Sequence, residues 1–175
     1  MKKIVIAAAA LAVITVSAVE VDVKGDFVQI QKNGIPVGWY ANAWEGYKPA
    51  PRYEVITEDG IRALHFTEIK GKYGFSWGTS HRFAAKAGDK VTVTAKVKGS
   101  GSVCFGLQVF LANGDWTGVL PASSITLTKE WKDVKVELSV ADVKNKVTGK
   151  VMLTFGAQPD SELYIADVKV DCSGK

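Results

Sequence analysis

From Val91 to Val170, large apolar residues return at every second position. Val91, Val93, Ala95 and Val97 alternate with Thr92, Thr94, Lys96 and Lys98. Val103, Phe105, Leu107, Val109 and Leu111 alternate with Cys104, Gly106, Gln108 and Phe110. Val134, Val136, Leu138 and Val140 repeat the pattern, as do Val151, Leu153 and Phe155 against Met152, Thr154 and Gly156, and Leu163, Ile165, Val168 and Val170 close the series. A period of two belongs to an extended strand with one face on a core and the other in water, most often in an antiparallel sheet. No stretch has a convincing helical period; Ser139 to Lys146 is the one candidate for a turn or two of helix.

The breaks between these runs carry turn chemistry: Asp59-Gly60, Gly88-Asp89, Gly99-Ser100-Gly101, Asn113-Gly114 and Pro159-Asp160. Asn113-Gly114 is a two-residue hairpin signal. About eight such strands argue for an all-β sandwich of two antiparallel sheets. With 175 residues, no linker, no low-complexity tract and no internal repeat, the chain reads as one domain behind a leader.

That leader is Met1-Lys2-Lys3 followed by an apolar run from Ile4 to Val16, interrupted only by Thr15, and then Val16-Ser17-Ala18. A basic start, an apolar centre and small residues at the cleavage positions read as a signal peptide, residues 1–18. The apolar run would rise only about 20 Å as a helix, short of the roughly 30 Å hydrocarbon core, so a membrane span is not expected. With no Cys near the cleavage point, a lipid anchor lacks its attachment atom. The expectation is a secreted, periplasmic or cell-surface protein comprising residues 19–175. Without Lys2 and Lys3 the chain keeps 20 Lys and Arg against 18 Asp and Glu, scattered along alternating strands, which argues against nucleic acid as a partner.

Four places carry a likeness: Gly25-Asp26-Phe27, Pro36-Val37-Gly38-Trp39, the strand entry Ala87-Gly88-Asp89-Lys90-Val91-Thr92-Val93, and Leu163-Tyr164-Ile165-Ala166-Asp167-Val168. In this order and spacing the chain resembles carbohydrate-binding modules of the family 4, 9 and 22 group, with a galactose-binding-like jelly-roll fold, over nearly all of residues 19–175. The resemblance implies a jelly roll whose strand candidates, 61–67, 73–83, 91–98, 103–111, 115–127, 133–140, 148–157 and 162–171, go alternately to two sheets. The second, fourth, fifth and seventh would form the concave sheet that meets a glycan. On it, parity turns Cys104, Gly106, Gln108 and Phe110 outward, and Met152, Thr154, Gly156 and Gln158 beside them. Those outward positions carry no charge, whereas other strands carry Lys and Glu freely.

A sugar ring packs its CH-rich face on an aromatic plane and offers hydroxyls to planar polar partners. The segment from Trp39 to Tyr53, with Tyr40, Trp44 and Tyr47 beside Asn42, Glu45 and Arg52, has no clean alternation and reads as a long loop. Exposed aromatics on such a loop suit a binding platform, although they could equally cover the sandwich edge. The resemblance assigns Trp39 to the core and matches Trp131 to a position that packs at the sandwich end, which makes Trp131 a core residue too. Trp44, Tyr47 and Trp116 are the stacking candidates, with Gln108, Phe110, Thr154 and Gln158 beside them. Trp77 joins this set if a bulge at Gly78 turns the strand toward ligand with His81 or Arg82; if the parity of Phe75 persists, Trp77 is core.

Cys104 and Cys172 belong to strands of different sheets and are expected to be unpaired thiols. The resemblance implies a structural calcium site, for which Asp26 and Asp167 are the candidates, though Ala166 stands where a second acid is usual. Catalysis would need paired carboxylates or an activated nucleophile; Glu45, Glu54, Glu58, Asp59 and Glu68 cannot be paired from sequence, and no nucleophile elbow or phosphate loop occurs. The expected protein is an exported, monomeric, non-catalytic module that binds a poly- or oligosaccharide. Its rivals are an adhesion or structural sandwich without sugar binding and, behind that, a small glycan-active enzyme.

Overall fold

The computed structural model describes residues 18–174; the leader expected over residues 1–18 falls almost wholly outside them. Twelve strands follow in order: β1 (Val19–Gly25), β2 (Trp39–Ala41), β3 (Arg52–Glu58), β4 (Ile61–Thr67), β5 (Trp77–Thr79), β6 (Phe83–Ala84), β7 (Lys90–Ser100), β8 (Ser102–Phe110), β9 (Trp116–Thr126), β10 (Lys132–Ser139), β11 (Lys150–Ala157) and β12 (Glu162–Ser173). A 3-10 turn, Glu45–Tyr47, lies between β2 and β3. The first sheet runs β10-β7-β12-β4-β3, with β1 also on β12; the second runs β2-β5-β11-β8-β9, with β6 also on β11. The reported pairings are antiparallel, and the fold is a jelly-roll sandwich.

The alternation read from the sequence is the one that packs. Val91, Val93 and Val97 of β7, Leu163 and Ile165 of β12, Val103, Phe105 and Leu107 of β8 and Val151, Leu153 and Phe155 of β11 meet between the sheets. Burial of such side chains is worth about 1.5–3 kcal/mol each before chain entropy is charged against it. The step from Ile165 to Val168, which breaks the period of two, has a local cause. The pairing of β12 with β7 slips between Ala166 and Lys169, a β-bulge in which Asp167 takes φ 51°. The extra residue restores the inward parity for Val168 and Val170.

Turn chemistry sets the register elsewhere. Asp59 (φ 53°) and Gly60 (φ 78°) both take the left-handed conformation required of a tight two-residue hairpin, between Glu58 and its partner Ile61. At the β8–β9 hairpin the loop is longer than the two-residue turn expected of Asn113-Gly114: Leu111 N–H donates to the Asp115 carbonyl at 2.9 Å, with Ala112, Asn113 and Gly114 between them.

Three expectations are corrected. The segment 39–53 is not one long loop, because β2 and the start of β3 lie in it; β2 is only three residues long, too short to show a period. Ser139 to Lys146 forms no helix: β10 ends at Ser139, and an isolated bridge joins Val143 to Lys146. Trp131 lies outside the core, half-buried against Tyr164 on the outer face of the first sheet, with ring centroids 6.3 Å apart. Cys104 and Cys172 are free and belong to different sheets.

At the centre of the sandwich Phe155 meets Trp39, Phe66, Phe75 and Phe105 at centroid distances of 5.3, 5.9, 6.3 and 6.5 Å. Truncating it removes one partner from all four rings. Phe155→Ala is therefore expected to cost about 3–5 kcal/mol of stability, read as a lowered urea midpoint with an unchanged slope.

Candidate functional site

The outer face of the second sheet is built on small residues. Along β11 and β8, Thr154 is paired with Gly106 and Gly156 with Cys104, and Gly78 of β5 is paired with Thr154. Tyr40 of β2 lies across this floor; a Cβ on Gly78 would come within 2.8 Å of its ring. The Tyr40 hydroxyl accepts a hydrogen bond from Gln108 Nε2 at 3.2 Å. Burial pushes that hydroxyl above the usual phenol range, so it stays protonated and free to donate at neutral pH.

The walls come from the β2–β3 connection and from β9. Asn42 Oδ1 accepts the Trp44 N–H at 3.0 Å, turning the chain out of the sheet. The 3-10 turn follows, with Tyr47 N–H donating to the Trp44 carbonyl at 2.9 Å. Gly46 is required here because the Trp44 indole lies on it: a Cβ would sit 2.3 Å from Cζ3. Tyr47 meets the indole edge-on at 5.2 Å, and Tyr73 stacks on it at 5.3 Å with 20° between planes. Across the sheet, Trp116 follows the hairpin opposite Phe110. Trp44 and Trp116 are each 54% exposed, unusual for so large an apolar side chain.

These groups border one depression with two lobes. One lobe is lined by Asn42, Trp44, Tyr47, Gln108, Trp116 and Val119. The other shares Asn42, Tyr47, Gln108 and Val119 and extends over Tyr73, Ser76, Cys104, Gly106, Thr154, Gly156 and Gln158. Six residues singled out from the sequence, Trp44, Tyr47, Gln108, Trp116, Thr154 and Gln158, thus lie around the same depression. Among the described residues no Asp or Glu lines either lobe.

Two residues of the expected set do not belong there. Trp77 is 1% exposed and points inward, its ring 4.9 Å from Tyr53 and 5.1 Å from Phe66. The parity of Phe75 persists through β5, and no bulge at Gly78 reverses it. Phe110 does occupy the outer face, but it is 3% exposed because the Arg82 guanidinium covers its ring at 3.8 Å. Arg82 is held over it by a 2.8 Å hydrogen bond from Nη1 to the Gly114 carbonyl. Conversely, Tyr73 was not expected. It precedes β5 in a loop without periodicity and is brought in by its N–H bond to the Gly46 carbonyl at 3.2 Å.

None of the acids considered for catalysis, Glu45, Glu54, Glu58, Asp59 and Glu68, lines either lobe, although Glu45 lies in the 3-10 turn beside Trp44. Glu58 and Asp59 hold Lys98 at 2.7 and 2.9 Å, Glu54 is 3.8 Å from His65, and Glu45 pairs with Lys48 at 2.6 Å. Gly25 is opposite Val168, so Asp26 and Asp167 flank that pair and line a shallow depression together with Lys24 and Lys169. Asp26 Oδ1 already accepts the Val28 N–H at 3.2 Å. Among the described residues no group of three His, Cys, Asp or Glu side chains is placed to hold a metal ion.

Solved structures that share the all-antiparallel jelly-roll fold include carbohydrate-binding modules. A family 4 carbohydrate-binding module matches at a TM-score of 0.52 and 18% identity, over 84% of this chain and 96% of that one. A family 29 carbohydrate-binding module variant complexed with mannohexaose matches at 0.56 and 14% identity, over 89% and 93%. An arabinose-bound α-L-arabinofuranosidase matches at 0.57 and 14% identity, but the 89% of this chain that aligns spans only 26% of that enzyme. No protein-family model matches the sequence, and no curated protein matches it.

The different surroundings of two tryptophans can be measured. Trp77→Ala is expected to destabilise the protein by about 3–5 kcal/mol, as core aromatic truncations do. Trp44→Ala, at an exposed wall, should cost about 1 kcal/mol or less. Urea unfolding of both variants, followed by circular dichroism, checks the contrast.

Proposed function

We propose that the protein is a non-catalytic glycan-binding module whose ligand lies in the depression on the second sheet. One observation carries the reading: Trp44 and Trp116, both half in water, wall a lobe floored by Gln108 and Asn42. Flat apolar walls beside planar amides suit the two faces of a sugar, its CH surface and its hydroxyl edge. The fold shared with a module complexed with mannohexaose supports the same reading. The lack of any lining carboxylate speaks for binding rather than hydrolysis, since glycoside cleavage needs acids at the bond to be broken. Export through residues 1–18 and action as a monomer belong to the same reading.

Retention on a panel of insoluble and soluble polysaccharides, neutral and acidic, is the direct test. The protein should be held by at least one, with a change in tryptophan emission. Trp44→Ala and Trp116→Ala should each weaken that binding about tenfold or more, as loss of a central aromatic does at other interfaces. Retention by none of the panel, with unchanged emission, would overturn the reading and leave a structural or adhesion sandwich.

Calcium enters the proposal at one place, the depression that Asp26 and Asp167 line together, where two carboxylates are the oxygen donors such an ion takes. Millimolar calcium should then raise the Tm relative to EDTA, and Asp167→Asn should remove the difference. An equal Tm in both solutions takes the ion out of the reading.

A further inference from the structure

The two sheets treat charge differently. The first sheet mixes both signs along its strands and pairs some of its cations, Lys90 with Glu137, Lys96 with Asp133, and Lys98 with Glu58 and Asp59, at 2.7–3.4 Å, while Lys132, Lys135 and Lys169 have no such partner among the described residues. The six strands of the second sheet contain a single charged residue, Lys150. Around its outer face further cations appear, and three of them rest on aromatic rings of that face. Lys72 Nζ lies 5.1 Å from the Tyr73 centroid, the Arg82 guanidinium 3.8 Å from Phe110, and Lys144 Nζ 5.6 Å from Trp116.

None of the three has a carboxylate partner within salt-bridge distance among the described residues. Nearby acids are engaged otherwise: Glu45 with Lys48, Asp115 with the Asn113 amide at 2.9 Å, and Asp142 with the Thr148 N–H at 2.9 Å. A cation resting on a ring keeps most of its N–H donors free, and the ring limits where the charge can go. Tyr73 and Phe110 mark the two ends of the face along β8. Cys104, beside the Tyr73 lobe, is six residues from Phe110, about 20 Å of strand. Neither lobe is lined by Asp, Glu, Lys or Arg among the described residues, so the three cations stand at the rim of the depression and no lining carboxylate opposes an anion there.

We propose that the groove takes an acidic glycan, a chain whose sugars carry carboxylate or sulfate groups, with Lys72, Arg82 and Lys144 as its anion contacts. This deepens the glycan-binding reading and rests on it. The aromatic walls hold the sugar faces, and the cations seated on the rings meet the charged substituents at the edges.

Affinity electrophoresis and calorimetry of the full protein on polygalacturonate and a sulfated galactan, against xylan, mannan and β-glucan, test it. Binding is expected to be tightest on an acidic polymer and to weaken as NaCl rises from about 50 to 500 mM, as screening shortens. The polymer preferred, polygalacturonate or galactan, tells carboxylate from sulfate recognition. Lys72→Gln, Arg82→Gln and Lys144→Gln together should lose about tenfold or more. Lys132→Gln, Lys135→Gln and Lys169→Gln, which remove the same charge from the first sheet, should change binding less than about twofold. Lys144→Gln alone, at an exposed position, gives a smaller loss in the same direction and stands in if the triple variant unfolds. Equal losses from the two triple variants would mean diffuse attraction of any polyanion and would overturn the proposal. Salt-independent retention on a neutral glycan, lost on Trp44→Ala, would overturn the acidic ligand and keep the groove. Retention on nothing would remove both.

Discussion

Phe155 is the point on which the two sheets agree. It belongs to β11, the strand between β5 and β8, and its ring meets Trp39 and Phe105 of its own sheet, Phe66 of the other and Phe75 from the approach to β5. Every residue from Val151 to Ala157 is buried, on both faces of the strand. The inner face requires bulk, and Val151, Leu153 and Phe155 supply it. The outer face must be small or neutral to lie under Tyr40 and its neighbours, which Thr154 and Gly156 satisfy. Close packing punishes a misfit of even one methylene, so β11 holds the core and the groove floor to one register.

Much of this was legible because period two is a strong signal. The assignment of 73–83, 103–111, 115–127 and 148–157 to one sheet matches β5 and β6, β8, β9 and β11. Parity places Gln108, Thr154 and Gln158 on the outer face, where all three line the depression. The signal failed where strands are short or the chain turns. β2 has three residues, and a period needs more than one repeat to be seen. Tyr73 reaches Trp44 through one backbone hydrogen bond between two loops, an interaction with no sequence spacing to betray it.

Trp77 and Phe110 show the limit of parity in opposite ways. Trp77 obeys it: of the two alternatives the sequence left open, the parity of Phe75 holds, and Trp77 goes inward with no bulge at Gly78. Phe110 obeys it too, facing outward, yet is shut off from solvent by Arg82. Parity tells which face a side chain leaves from, not what later covers it. The covering here comes from residues 82 and 114, and their meeting at 2.8 Å depends on the hairpin after β8.

The pairing of β1 with β12 has a practical side. Val19 stands opposite Cys172, so the chain enters and leaves the sandwich side by side, on the sheet that does not carry the groove. A fusion partner, a fluorescent reporter or a surface linker joined at either position starts from the same sheet. Immobilising the protein through either of these positions therefore starts from the sheet opposite the Trp44 and Trp116 walls, an orientation that leaves the depression uncovered.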